Sequence, residues 1–460
     1  MIRIFNLFIH RRTLLQILLD LGLIMAAVMM SVLWRVPDSA SVATKGVTLA
    51  FLLAMGMLVI NSGLGFYQRV HNRSLNQSRA RAVLSLLLTL LLAYAIFNLL
   101  PLSVENQELL GISVVTGVVV VLINRVSVAH SKAQSALRQR ILVYGTGMRA
   151  ESVGRTLKQS DPNVTLVGYY ASPNETKAEV SESWILSPNR SLTDFILGKR
   201  VDEIVVALAE RRGGSMPLRE LLDCKLHGVR VVDIATYFEE TLGQIRLDAV
   251  SAGWLIFGDG FSQGWVRTVI KRLFDILCAT ALILLTTPIM LVTAILILLE
   301  SSGPILYWQE RVGLHGRLFN VVKFRSMRTD AEKDGKPRWA SVGDNRVTRV
   351  GRLIRKLRID ELPQLFSVLS GDMSLVGPRP ERPYFVDKLT KEIPYYAIRQ
   401  SVKPGVTGWA QVHYHYGASM KDAAEKLQYD LYYVKNNTLF LDLVVLFETV
   451  GVVLTGKGAQ

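Results

Sequence analysis

Three short stretches of the C-terminal third combine carboxylates with a dense set of cations: K-F-R-S-M-R from Lys323, R-I-D-E-L-P-Q-L from Arg358, and S-L-V-G-P-R-P-E from Ser374. Residues of these types together suit phosphate chemistry. In the adjacent pair Asp360 and Glu361, one carboxylate can hold a hard metal ion while the other attacks phosphorus or accepts a proton. Arg379, held between Pro378 and Pro380, has a restricted approach to an oxyanion. Lys323 and Arg325 add further positive charge. A carboxylate at the end of a basic run also has a plain reading, as a solvated salt-bridge partner.

The run R-V-G-R-L-I-R-K-L-R-I-D-E-L reads as a single amphipathic helix suited to a membrane surface, with Leu353 and Leu357 on one side and cations elsewhere. At helical spacing Arg352, Lys356 and Asp360 lie four residues apart and line one face, so the two cations should keep Asp360 ionised. Glu361, about 100° further round, could then ligate a metal ion. Its hard oxygens favour Mg²⁺, with Mn²⁺ the other choice.

The chain has 460 residues with 53 Lys and Arg against 38 Asp and Glu, a formal charge of +15. Its mean hydropathy of +0.28 is too high for a purely soluble protein. Because the cations cluster beside apolar stretches, they point to an anionic membrane face and anionic substrates and not to nucleic acid. The two cysteines, Cys224 and Cys278, are far apart and offer neither a disulfide framework nor a metal site.

Four apolar segments, Leu14–Trp34, Val47–Phe66, Val83–Leu100 and Leu109–Ile123, approach the length of about 20 residues that spans a bilayer. Arg11 and Arg12, then Arg69, Arg73, Arg79 and Arg81, then Arg125, Lys132, Arg138 and Arg140 place the flanking loops on the cytoplasmic side. No small-residue cleavage site follows the first segment, so a cleavable signal peptide is not expected. The expected organisation is a four-helix transmembrane domain over 1–139, a Rossmann-like α/β cytoplasmic domain over 140–266, and a mainly α domain over 267–460.

In the middle domain, I-L-V-Y-G-T-G-M-R-A reads as a strand, a glycine turn and a helix start. Gly145, Gly147 and Ala150 fit a dinucleotide fingerprint. The acidic residue expected on the ribose is replaced by Tyr169, Tyr170, Ala171 and Ser172, so a turn that merely permits tight packing is the better reading. A fifth apolar segment, 273–299, contains Thr287 and Pro288. Proline breaks the helix there, and Thr286 or Thr287 hydroxyls can satisfy the freed carbonyls. A re-entrant hairpin that returns to the cytoplasmic face is therefore expected. Leu439–Leu454 is short for a span. His413 and His415 lack a metal pattern, and Trp409 suits either base stacking or packing.

Taken together, the chain resembles the large monotopic polyprenyl-phosphate phosphoglycosyl transferases, enzymes that start exopolysaccharide or O-antigen assembly. The resemblance covers nearly the whole chain and extends to V-K-P-G-V-T-G-W-A-Q-V from Val402 and Y-D-L-Y-Y-V-K-N from Tyr429. It implies that Asp360 forms a covalent phosphosugar intermediate and that Glu361 binds Mg²⁺. It further implies that Lys323, Arg325 and Arg379 contact substrate phosphates, and that Thr287-Pro288 stands where many members have Ser-Pro. Asp430 becomes a candidate supporting or metal-site carboxylate.

The implied reaction moves a hexose 1-phosphate, glucose first and galactose second, from a UDP-sugar to undecaprenyl phosphate. The implied location is the bacterial cytoplasmic membrane, with membrane lipids as neighbours and a homodimer through the middle domain compatible. Two rivals remain open at this stage: a membrane-bound NAD-dependent nucleotide-sugar modifying enzyme, and a noncatalytic scaffold for polysaccharide assembly.

Overall fold

The computed structural model describes residues 139–160, 164–173, 178–186, 191–208, 216–250, 252–258, 263–329, 346–414 and 419–455. With them come 175, 260, 261, the helix at 40–63 and shorter pieces of the N-terminal region. The chain divides into two units, one made mainly of 10–242 and the other mainly of 243–460.

In the first unit, helix α1 (Ala40–Gly63) overlaps the second apolar segment read from the sequence. Its Asn61 accepts a buried hydrogen bond from Ser85 Oγ at 2.7 Å, a polar link between helices whose outer faces are apolar. The expected four-helix bundle is only partly covered by the described residues, and its fourth segment, Leu109–Ile123, lies outside them.

The α/β part of this unit is a five-stranded parallel sheet. In chain order its strands are β1 (Gln139–Tyr144), β2 (Val164–Tyr170), β3 (Ile185–Leu186), β4 (Glu203–Val206) and β5 (Arg230–Asp233), and across the sheet they run β3-β2-β1-β4-β5. The apolar runs I-L-V-Y of β1 and I-V-V of β4 are buried throughout, as a sheet covered on both faces requires. Helices α2 (Met148–Ser160), α3 (Leu192–Lys199) and α4 (Leu218–Leu226) supply crossovers, and α5 (Ile234–Leu242) follows β5. Gly145, at φ +122°, makes the turn after β1, where a side chain would press on the Ala207 carbonyl.

The second unit begins at Gly243, so residues 243–266, assigned from sequence to the middle domain, pack with the C-terminal part. Ile245 sits in that core, and its N–H bonds the Gln428 carbonyl at 3.0 Å. After α6 (Ala252–Phe257) comes the 36-residue α7 (Trp265–Glu300). Among the described residues it is the one helix long and apolar enough to cross a membrane.

Pro288 lies inside α7 and does not end it. The hydroxyls of Thr286 and Thr287 bond the carbonyls of Leu282 and Ile283, each one turn back, and not that of Leu284, which the proline frees. Both ends of α7 hold to the same unit. Near its start, Arg272 donates to the carbonyls of Val368 and Leu369, and Asp275 accepts from Ser374 Oγ and the Leu375 N–H, each at 3.1 Å. At its end, Glu300 accepts from the N–H groups of Arg349 and Val350. Between those ends a stripe at helical spacing, including Ala279, Ile283, Met290, Thr293 and Ile297, packs inward. Leu277, Leu284, Leu285, Leu291 and Leu299 on other faces are exposed.

The rest of this unit comprises the hairpin β6 (Leu306–Val312) and β7 (Leu318–Phe324), then α8 (Arg349–Lys356), a 3₁₀ turn at Ile359–Glu361, and α9 (Gln364–Ser370). There follow β8 (Ser374–Val376), α10 (Pro383–Glu392), β9 (Gly405–Thr407), α11 (Trp409–His413), α12 (Met420–Asn436) and α13 (Leu439–Thr455). Strands β8 and β9 pair in parallel. Local signals fix several starts: Thr348 caps α8, and Ser419 with Asp422 forms a capping box on α12. Val368, Leu375, Val376, Leu431, Val434, Leu441 and Val445 form the centre of the core.

Candidate active site

The basic run does not continue as one helix into the Asp-Glu pair. Helix α8 stops at Lys356, and Arg358 takes a left-handed conformation, φ +58° and ψ +16°, before the 3₁₀ turn that carries Asp360 and Glu361. The four-residue spacing of Arg352, Lys356 and Asp360 therefore does not make a common face. Arg352 and Lys356 are exposed, whereas Asp360 and Glu361 are buried.

Other cations reach the dyad, and they converge on Glu361. Lys323 Nζ, from β7, lies 3.0 Å from Glu361 Oε1, and Arg379 Nη2, from the P-R-P loop, lies 2.7 Å from the same oxygen. Arg358 Nη1 approaches Oε2 at 3.4 Å. Burial alone would raise the Glu361 carboxyl, but Arg379, Lys323 and Arg358 hold it well below the usual carboxylate range. Asp360 behaves oppositely. Burial and the negative charge of Glu361 push it up to about 6, against the pull of Lys323, Arg379 and Arg355. Burial lowers Lys323.

The expected roles of the remaining residues divide. Arg325 is buried and donates to the Ser301 carbonyl at 2.7 Å, Ser301 Oγ at 3.0 Å and the Ser302 carbonyl at 2.9 Å, so it ties down the turn after α7. Asp430, on α12, accepts from Arg399 Nε at 2.9 Å and lies 2.8 Å from its Nη2. Arg399 in turn donates to the backbone carbonyl of Arg379 at 2.8 Å, so Asp430 supports the dyad indirectly. Trp409 is buried, stacks on Tyr432, lies tilted against His413, and donates from Nε1 to the Gly243 carbonyl. It packs beneath the unit. His413 Nδ1 lies 3.1 Å from the Trp409 carbonyl, and His415 lies outside the described residues.

The structure adds Arg355, Arg358, Arg311 and Arg399 to the residues expected near the dyad. Arg358 was legible, three residues before Glu361 in R-I-D-E. Arg311 and Arg399 carry no spacing signal, because only the fold brings them to the P-R-P loop.

Among the described residues no group of three or more His, Cys, Asp or Glu side chains forms a metal cage. The adjacent carboxylates of Asp360 and Glu361 are hard oxygen donors of the type that suits an ion of the Mg²⁺ kind, which keeps waters and shares substrate phosphate oxygens. In the first unit, the Thr146 N–H and hydroxyl both donate to Glu175 Oε2, at 2.6 and 3.0 Å. The amide that a dinucleotide phosphate would use is thus engaged by the chain's own carboxylate.

Buried paired carboxylates beside Lys323, Arg358 and Arg379 suit phosphoryl-transfer chemistry. Residues 266–456, which contain all of it, match the Bacterial sugar transferase family, and the chain belongs to that family. It is 44% identical over 261 residues to a UDP-N-acetylgalactosamine-undecaprenyl-phosphate N-acetylgalactosaminephosphotransferase of Aeromonas hydrophila, covering 57% of this chain and 61% of that one. It is 30% identical over 342 residues to a UDP-glucose:undecaprenyl-phosphate glucose-1-phosphate transferase of Xanthomonas campestris pv. campestris, covering 72% and 69%. With the uncharacterized sugar transferase EpsL of Bacillus subtilis strain 168 it shares 45% identity over 192 residues, 42% of this chain and 91% of that protein. The match thus spans less than two thirds of the Aeromonas relative.

Proposed function

We propose that this protein transfers a sugar 1-phosphate from a UDP-sugar to undecaprenyl phosphate through a covalent intermediate on Asp360. The observation that carries the reading is the unlike pair. Glu361 is fixed as a carboxylate by Lys323, Arg358 and Arg379, while Asp360, held up at about 6, is ionised at neutral pH yet desolvated enough to attack.

In the first half-reaction an Asp360 oxygen bonds to the β-phosphorus. The bond from that phosphorus to the bridging oxygen breaks, and UMP leaves with the electron pair. In the second, an oxygen of the lipid phosphate attacks the same phosphorus and Asp360 departs as a carboxylate, leaving an undecaprenyl diphosphosugar. Lys323 and Arg379 offset the charge gathering on the transferred phosphoryl group. Glu361, with Asp360 beside it, is the protein's donor for Mg²⁺, which would neutralise diphosphate charge when bound.

The family resemblance favours glucose first and galactose second. The name of the Aeromonas relative adds N-acetylgalactosamine to glucose and galactose as donors to be tried.

A lipid substrate requires the site at the membrane face. A re-entrant α7 is supported by the packing of both its ends on one unit and by the covered stripe along its length. A straight helix would part Arg272 from Glu300 by about 42 Å. The reaction is tested by incubating the protein with each UDP-sugar in the absence of lipid phosphate, followed by peptide mass spectrometry. A sugar-phosphate adduct on the peptide containing Asp360, lost in Asp360→Asn, is expected; UMP release without any adduct contradicts the covalent step.

A further inference from the structure

In Pro378-Arg379-Pro380 two of the three residues have no backbone N–H, so this loop cannot be fixed as loops usually are, through its own donors. Its carbonyls are held instead, and four in succession have partners. Pro378 O accepts from the Gly405 N–H at 3.0 Å, Arg379 O from Arg399 Nη2 at 2.8 Å, Pro380 O from Arg311 Nη1 at 3.0 Å, and Glu381 O from the Val312 N–H at 3.0 Å. Gly377 lets the loop lie this close, since a side chain there would meet the Lys403 carbonyl and the Gly405 nitrogen.

The two central acceptors are served by arginine side chains from different elements. Arg399, in the 3₁₀ turn Tyr396–Ser401, is 8% exposed, and all three of its nitrogens are engaged. Nε and Nη2 reach Asp430 Oδ2, Nη2 also reaches Arg379 O, and Nη1 lies 3.1 Å from the Tyr396 hydroxyl. Arg311 projects from β6.

We propose that Arg399 and Arg311 are positioning residues that act on the reaction through Arg379. They clamp two successive carbonyls, those of Arg379 and Pro380, so that the Arg379 guanidinium meets the diphosphate and Glu361 with little freedom left to lose. Asp430 belongs to the same device, because it holds the Arg399 fork in plane. A lysine at 399 can keep the charge beside Asp430 but cannot serve Asp430, Tyr396 and Arg379 O together.

The inference rests on the proposed reaction, and a double-mutant cycle separates the two. Full-length protein in lipid nanodiscs is titrated with UDP and Mg²⁺ by calorimetry for the wild type, Arg379→Ala, Arg399→Gln and the double variant. Thermal unfolding of each is followed in parallel, and UMP release from UDP-sugars is recorded. Each single change is expected to weaken UDP binding about 10- to 100-fold. Because Arg399 works through Arg379, the double variant should match Arg379→Ala within about twofold.

Losses that multiply in the double variant would show that Arg399 only supports the fold, and would overturn the proposal. Should Arg399→Gln fail to fold, Arg399→Lys and Arg311→Gln complete the same cycle with the same criterion. A wild type that binds UDP but releases no UMP would reject the transfer reaction while the cycle still judges the clamp. A wild type that does not bind UDP would overturn both.

Discussion

The 3₁₀ turn at Ile359–Glu361 presents Glu361 to Lys323, Arg358 and Arg379, and leaves Asp360 with burial and its neighbour's charge. Opposite stability effects follow from this difference. For Asp360 the folded value of about 6 exceeds the unfolded one near ~3.9, so the native state binds the proton more tightly. Its contribution to stability falls as pH rises across that window and is a full deficit at neutral pH. Asp360→Asn should therefore raise the melting temperature at pH 7.5 while abolishing transfer. Glu361 is lowered, so its contribution is present at neutral pH and lost only on strong acidification. Glu361→Gln removes the carboxylate that Lys323, Arg358 and Arg379 share and should cost about 3 kcal/mol. Thermal unfolding in nanodiscs tests both signs, and a lower melting temperature for Asp360→Asn would refute the first. The same shift gives a kinetic consequence: the burst of UMP release should decline as pH falls through about 6. A burst unchanged down to about pH 5 would mean that Asp360 does not attack.

At the scale of elements, what was legible in the sequence was local. The adjacent Asp360 and Glu361, and Arg379 between two prolines, are chemistry written in consecutive residues. Lys323 belongs with them because its strand runs beside the turn. Helical spacing failed as a guide to Arg352 and Lys356, because a single left-handed residue, Arg358, ends the periodicity before the dyad. Arg325, which the resemblance implies as a phosphate contact, instead satisfies the carbonyls at the end of α7. Arg311, Arg399 and Asp430 meet only after folding. The parallel sheet was readable from its apolar runs, whereas Glu175 on the glycine turn was not, being 29 residues from Thr146. The course of α7 is open to direct test. Cysteines placed at exposed Thr268 and Ser302, in a chain lacking Cys224 and Cys278, should both react with a membrane-impermeant reagent from the cytoplasmic side. Labelling of Ser302→Cys from the opposite side would contradict re-entry.

For the whole molecule, the net charge, the exposed apolar faces of α7 and the family match over 266–456 agree on a membrane-associated bacterial transferase. The most direct test of the transfer reaction uses purified protein in nanodiscs with Mg²⁺, undecaprenyl phosphate and, in turn, UDP-glucose, UDP-galactose and UDP-N-acetylgalactosamine. Multiple-turnover UMP release is the quantity measured, with Asp360→Asn in parallel. Continuous release with one of these donors, dependent on both the lipid phosphate and Asp360, is the predicted result. Equal release without the lipid phosphate, or by Asp360→Asn, would contradict the covalent transfer.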